Sequence, residues 1–118
     1  MSQLAELERL LGDGATLITD PDITRSYSRD QAPFAESAPP TAVLLAKNAE
    51  QISIALKFAH EKKIPVVTRG AGSGLAGGAN STADSIVISL EKMNRIINID
   101  SANLIARVEA CLLYTSDA

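Results

Sequence analysis

The stretch that most constrains this chain is Arg69-Gly70-Ala71-Gly72-Ser73-Gly74-Leu75-Ala76-Gly77-Gly78-Ala79-Asn80. The chain has seven glycines, and five of them fall between Gly70 and Gly78. Glycine costs about 1 kcal/mol of ordering relative to alanine in regular structure. So dense a cluster fits a backbone that adopts unusual dihedrals and lets another group come close. The stretch carries no acidic side chain and opens on one arginine. A glycine loop with N–H groups on offer and no negative charge suits an anion, most often a phosphate. A surface linker can have a similar composition. Here an apolar, strand-like run leads directly into the glycines, which favours the anion reading.

The residues before the loop read as a strand, a helix and a second strand. Thr41-Ala42-Val43-Leu44-Leu45-Ala46 follows two prolines and has the apolar run of a buried strand. Asn48 offers a helix N-cap, with Gln51 at the reciprocal position. Ile52, Ala55, Leu56 and Ala59 recur at i, i+3, i+4 and i+7, which predicts a helix with those side chains on its buried face. Lys62 and Lys63 complement the negative pole at its C-terminus, and Pro65 prevents its continuation. Val66-Val67-Thr68 is the next strand. Such a unit joins parallel strands by a right-handed crossover. Its loop leaves from the carboxyl end of a strand, where open α/β sheets bind ligands.

The flanks are simpler. Leu4, Leu7, Leu10 and Leu11 share one helical face over residues 3–11, and Gly12 and Gly14 stop that helix. Residues 15–19 form a brief strand. From Asp20 to Pro40 the prolines and polar residues predict an ordered meander with at most one helical turn, in which Tyr27 and Asp30 are solvated loop residues. Ser85–Leu90, Arg95–Asp100 and Leu104–Ala110 are strand-like, and Asp100-Ser101-Ala102-Asn103 joins the last two as a hairpin. The expected fold class is α/β (α+β): a parallel βαβ unit followed by a β-rich part.

A length of 118 residues allows at most one domain. A net charge of −3 is not the basic footprint of a nucleic-acid binder. No apolar run approaches the roughly 20 residues needed for a transmembrane segment. Met1-Ser2-Gln3-Leu4-Ala5-Glu6 lacks the basic start and apolar core of a signal peptide, so a cytoplasmic protein is expected. Cys111 is the one cysteine and His60 the one histidine, too few for a disulfide or an ordinary zinc site. His60 falls on the central helix and reads as a surface residue.

Three glycine loops compete for the central stretch. A nucleoside-triphosphate loop needs a lysine after Gly-x-x-x-x-Gly, but Gly78 stands there and residues 70–90 hold no lysine. The dinucleotide fingerprint does occur, as Gly72-Ser73-Gly74-Leu75-Ala76-Gly77, and Asp100 follows at a distance suited to a ribose acid. That fingerprint must open a helix, however, and Gly78-Ala79-Asn80-Ser81-Thr82-Ala83-Asp84 is a poor first helix. Asp100 also reads as the first residue of a hairpin turn. The third kind is a loop between strands, which wraps a pyrophosphate with backbone N–H groups and uses no helix dipole.

The stretch Arg69–Gly78 resembles the pyrophosphate loop of FAD-linked oxidases of the vanillyl-alcohol oxidase, or PCMH, type. The flanks agree: Pro40-Thr41-Ala42-Val43, Ile64-Pro65-Val66-Val67, Met93-Asn94-Arg95-Ile96 and Ile99-Asp100. The likeness covers roughly residues 20–110 and is strongest to the glycolate oxidase and D-lactate dehydrogenase branch. It implies a flavoprotein oxidoreductase that passes a hydride from a small 2-hydroxy acid to FAD, with partner subunits of an oxidase complex in some members. By motif position, Gly70, Ala71, Gly72, Ser73 and Gly74 would line the pyrophosphate, and Leu75, Gly77 and Gly78 would complete the turn. Arg69 would brace the loop, or else stand as a solvated charge at the strand end. Some members bond the flavin through a histidine at the position of Ser73; serine cannot, which implies non-covalent FAD. No catalytic residue is assigned. Two other readings stay open, a non-catalytic nucleotide-binding module and a pyridine-nucleotide domain, and a helix after Gly78 would favour the latter.

The resemblance divides the chain into an N-terminal helix and meander (1–40), a partial FAD-binding domain (41–110) and a divergent end (111–118). The family pattern implies a glycine and a further helix after Ala110, but the chain reads Cys111-Leu112-Leu113-Tyr114-Thr115-Ser116-Asp117-Ala118. The DNA string TGT-CTC-TTA-TAC-ACA-TCT-GAC-GCT encodes the same residues and matches a transposon-type sequencing adapter. The expectation is that 111–118 is not natural coding sequence, and that this N-terminal fragment alone binds FAD poorly and has no turnover.

Overall fold

The structure is a computed structural model that describes residues 2–12, 14–29, 32, 37–70, 72 and 77–110. Helix α1 (Ser2–Leu11) leads to strand β1 (Thr16–Ile18) and a short helix α2 (Pro21–Thr24) with a 3₁₀ turn at Arg25–Tyr27. Strand β2 (Ala42–Leu45), helix α3 (Ala49–Lys62) and strand β3 (Val66–Arg69) follow, then β4 (Ile86–Ser89), β5 (Ile96–Asp100) and β6 (Ile105–Val108). The expected helices, strands and hairpin are all present, and among the described residues of the meander residues 21–27 are helical, more than the single turn expected.

Two sheets result. The larger has the order β1-β2-β4-β3, with β2, β3 and β4 parallel and β1 antiparallel on β2. The crossover from β2 through α3 to β3 therefore skips one position, which β4 fills. Val43, Val87 and Val67 stand side by side across the three parallel strands. Strands β2 and β4 are central and almost wholly buried, as their apolar runs require. Leu44, Ile86 and Ile88 pack with Leu7 and Leu11 of α1, Ala55 and Phe58 of α3, and Met93 to form the core.

The ends of α3 follow from its sequence. Asn48 is extended and its Oδ1 accepts from Gln51 N at 2.9 Å. The reciprocal bond differs from expectation: Gln51 Oε1 accepts from the N–H of Lys47 at 2.8 Å. The same side chain donates from Nε2 to the Gly14 carbonyl at 3.3 Å, so the buried Gln51 also fastens the turn after α1. At the other end Lys63 turns left-handed at φ 57°, and Ile64 N donates to Ala59 O at 2.9 Å, a Schellman closure.

Two positions on the predicted helical faces are corrected. Leu10 of α1 and Leu56 of α3 are exposed, while Phe58 is buried. A helix buries an arc whose centre is set by the neighbouring elements, and i, i+3 spacing alone does not fix its edges. The smaller sheet is the β5–β6 hairpin, antiparallel with an irregularity between Ile96 and Asn98. Its turn is held by Asp100, whose Oδ1 accepts from Asn103 N at 3.2 Å and whose Oδ2 accepts from Asn103 Nδ2 at 2.8 Å. Ile97, Ile99, Leu104 and Ile105 are exposed on this hairpin.

Candidate functional site

The glycine stretch begins where β3 ends. Parallel neighbours need a crossover, and between β3 and β4 that crossover is the glycine stretch with the turns at residues 77–85. No helix follows Gly78; Gly77–Ala79 and Ala83–Asp84 are turns and bends, and β4 begins at Ile86. A pyridine-nucleotide fingerprint would require a helix there, so the strand-to-strand loop is the arrangement observed. Asp100 serves the hairpin turn rather than a ribose. The hydroxyl of Thr41 and its N–H bond to Ala83 and Ser85 at the far end of the crossover.

Four of the expected loop residues, Ala71, Ser73, Gly74 and Leu75, lie outside the described residues, as does Asp30. The others have defined surroundings. Gly72 is buried with φ +75°, and Gly77 has φ +81°, a region that L side chains rarely adopt. A Cβ built on Gly72 would overlap the Arg69 guanidinium. Around Gly78, by contrast, a Cβ would meet nothing of the described chain. Gly70 is exposed at the strand end.

Arg69 is not a solvated strand-end charge. Its Nη1 donates to the Arg29 carbonyl at 2.7 Å, and its guanidinium carbon lies 5.7 Å from the centroid of the Tyr27 ring. Its own carbonyl accepts from Leu90 N at 2.8 Å, which ties the loop's first residue to the end of β4. Tyr27 in turn donates from its hydroxyl to Glu91 Oε1 at 2.9 Å. The expectation of Tyr27 as a solvated loop residue is therefore corrected: it is half-buried and bonded across the sheet end. Burial, followed by the hydrogen bond and charge of Glu91, raises the Tyr27 hydroxyl above its ordinary value of 10.0, while Arg69 pulls the other way. Among the other candidates, His60 is exposed on α3 as expected.

The far end of the loop is also anchored. Ser81 is fully buried, and its N–H donates to the Ser28 carbonyl at 2.7 Å. Its hydroxyl donates to the Ala38 carbonyl, and its carbonyl accepts from Ala38 N at 2.9 Å. Glu91, Ser28, Arg29 and Ser81 carry none of the sequence signals used to find a site. They are 40 to 64 residues from their partners in some of these contacts, and only the folded chain brings them together. Among the described residues no cluster of His, Cys, Asp or Glu could hold a metal ion, and no helix is long and apolar enough to cross a membrane.

This geometry suits a bound pyrophosphate. The loop opens at the carboxyl end of two parallel strands, carries left-handed glycines and includes no acid from Arg69 to Asn80. A family model described as an FAD binding domain matches residues 40–114. The chain belongs to this FAD-binding family. Its fold is that of the PCMH-type flavoenzymes, and p-cresol methylhydroxylase with substrate bound superimposes with a TM-score of 0.67 and 28% identity over 84% of this chain and 20% of that one. The D-lactate dehydrogenase of Anaerostipes hadrus is 33% identical over 78% of this chain and 19% of its own length. The glycolate oxidase subunit GlcD of Bacillus subtilis is 39% identical over 70% of this chain and 17% of its own length. The chain thus spans about a fifth of the length of these relatives and corresponds to FAD-binding sequence of FAD-linked oxidoreductases.

Proposed function

We propose that this chain contributes the pyrophosphate side of an FAD site in an oxidoreductase that takes a hydride from a small 2-hydroxy acid, of the D-lactate or glycolate kind. The observation that carries this reading is the placement of the glycine loop. It leaves the carboxyl end of β3, beside β4, with the buried left-handed Gly72 directly against the stretch's one guanidinium. In this reading Gly70, Ala71, Gly72, Ser73 and Gly74 offer backbone N–H groups to the two phosphates. Leu75, Gly77 and Gly78 complete the turn, and Arg69 adds positive charge behind it. Bound there, FAD would supply the hydride acceptor. Ser73 has no ring nitrogen to bond to the flavin, which supports a non-covalent cofactor. The names of the similar proteins support the substrate class.

The test uses the protein at the length its gene encodes. Purified protein is titrated with FAD and followed by flavin fluorescence and visible absorbance, then mixed anaerobically with D-lactate or glycolate. Retention of flavin and bleaching of its absorbance by a 2-hydroxy acid are expected, with the flavin released on denaturation. Flavin that is held but never bleached by any 2-hydroxy acid would leave a nucleotide-binding module instead.

A further inference from the structure

We infer that Tyr27, Ser28 and Arg29 form a clasp that sets the width of the glycine loop and so positions its N–H groups for the pyrophosphate. This inference rests on the FAD reading of the loop. The two stems of the loop, Arg69 and Ser81, are held by two successive carbonyls of one short segment. Arg29 O accepts from Arg69 Nη1 at 2.7 Å, and Ser28 O accepts from Ser81 N at 2.7 Å. Beside them, the Tyr27 ring lies against the Arg69 guanidinium at 5.7 Å. The ring is itself fixed, because its hydroxyl donates to Glu91 at 2.9 Å. Glu91 is oriented by Ser89 at the end of β4, whose hydroxyl donates to the same Oε1 at 3.3 Å.

The physical consequence follows from where the held atoms lie. Arg69 occupies the space that a Cβ at Gly72 would take, so its position and the left-handed turn at Gly72 are coupled. A loop that binds phosphate through backbone N–H groups has no long side chains to adapt, so small changes in its width move every donor together. Segment 27–29 precedes β2 and lies far from the loop in sequence, yet it sits on both stems. It is a positioning segment, with no contact to the cofactor required of its side chains.

The test compares Tyr27→Ala, Tyr27→Phe and Ala55→Gly in the full-length gene product. Ala55 is buried in α3 within the helix-packed core, away from the loop, and its replacement serves as a stability control. FAD affinity is measured well below each variant's melting temperature, alongside the ³¹P resonances of the bound pyrophosphate. Tyr27→Ala is expected to weaken FAD binding about tenfold, the size of one lost cation–π contact with its hydrogen bond, and to shift the ³¹P signals. Tyr27→Phe keeps the ring but loses the bond to Glu91, and is expected to recover about half of that loss on a free-energy scale. Ala55→Gly is expected to lower the melting temperature with unchanged affinity and unchanged ³¹P signals. The clasp is overturned if Tyr27→Ala binds FAD within twofold of the wild type, or if Ala55→Gly loses as much affinity. Gly72→Ala is run in parallel: if it too leaves FAD affinity intact, the loop reading itself falls and the clasp with it.

Discussion

The guanidinium of Arg69 fills the space beside Gly72 that any larger residue at that position would need. Two features of one motif, its arginine and its second glycine, are thus halves of a single packing arrangement. Gly72 is required twice, once by its φ of +75° and once by the side chain resting on it.

Gly72→Ala is accordingly expected to cost about 1–3 kcal/mol of stability, the usual range for a non-glycine residue held in a sparsely populated region. The overlapping group is the far end of a flexible side chain, so Arg69 can move aside. Doing so breaks its bond to Arg29 O and its contact with Tyr27. Urea unfolding measures the stability term and FAD titration the functional one. A variant with wild-type values for both would show that this geometry has no energetic weight.

Gln51 makes three hydrogen bonds, to Asn48 and Lys47 at the start of α3 and to the Gly14 carbonyl after α1. Gln51→Ala should destabilise by about 0.5–1.5 kcal/mol, because the Lys47 N–H and the Gly14 carbonyl, both in part-buried bonds, lose their partner. Gln51→Glu keeps the acceptor for Lys47 N and loses the donor to Gly14 O, so it should be intermediate at neutral pH. Equal urea midpoints for all three proteins would contradict this.

Lys63 closes α3 in the left-handed region at φ 57°. Lys63→Gly should stabilise by about 0.5–1 kcal/mol, since glycine adopts that conformation without the Cβ penalty. The gain is offset in part by the greater freedom of glycine in the unfolded chain. A thermal melt that moved down would mean that the lysine charge at the helix C-terminus outweighs the backbone strain.

The alkaline limb of stability should depend on Tyr27. Its hydroxyl is raised above 10.0 in the folded chain by burial and by Glu91, so the folded state holds the proton more tightly than the unfolded state. This contribution is fully present below the ordinary tyrosine value and is lost as pH rises through the raised one. Wild-type protein should therefore lose stability more steeply than Tyr27→Phe as pH rises above the ordinary tyrosine value of 10.0. Parallel curves would remove Tyr27 from the titration.

Much of the local structure was legible in the residues. The N-cap at Asn48, the stop before Pro65, the buried run in β2 and the turn at Asp100 are dictated by contacts among near neighbours in sequence. The glycine loop was legible for the same reason, since its composition alone demands left-handed backbone and excludes acids. The boundary of burial was not: Leu10 and Leu56 satisfy the helical period yet face water, because the width of a buried arc depends on what packs against it.

By itself, then, the sequence determined the strand–helix–strand unit, the glycine loop that follows it and the family to which both belong. Only the tertiary structure decided that β4 inserts between β2 and β3, and that Tyr27, Ser28 and Arg29 return to hold the stems of the loop. The physical reason is range. Periodicity, caps and turns act over a few residues, whereas a hydrogen bond such as Tyr27 to Glu91 joins residues 64 apart and leaves no mark on the local pattern of either.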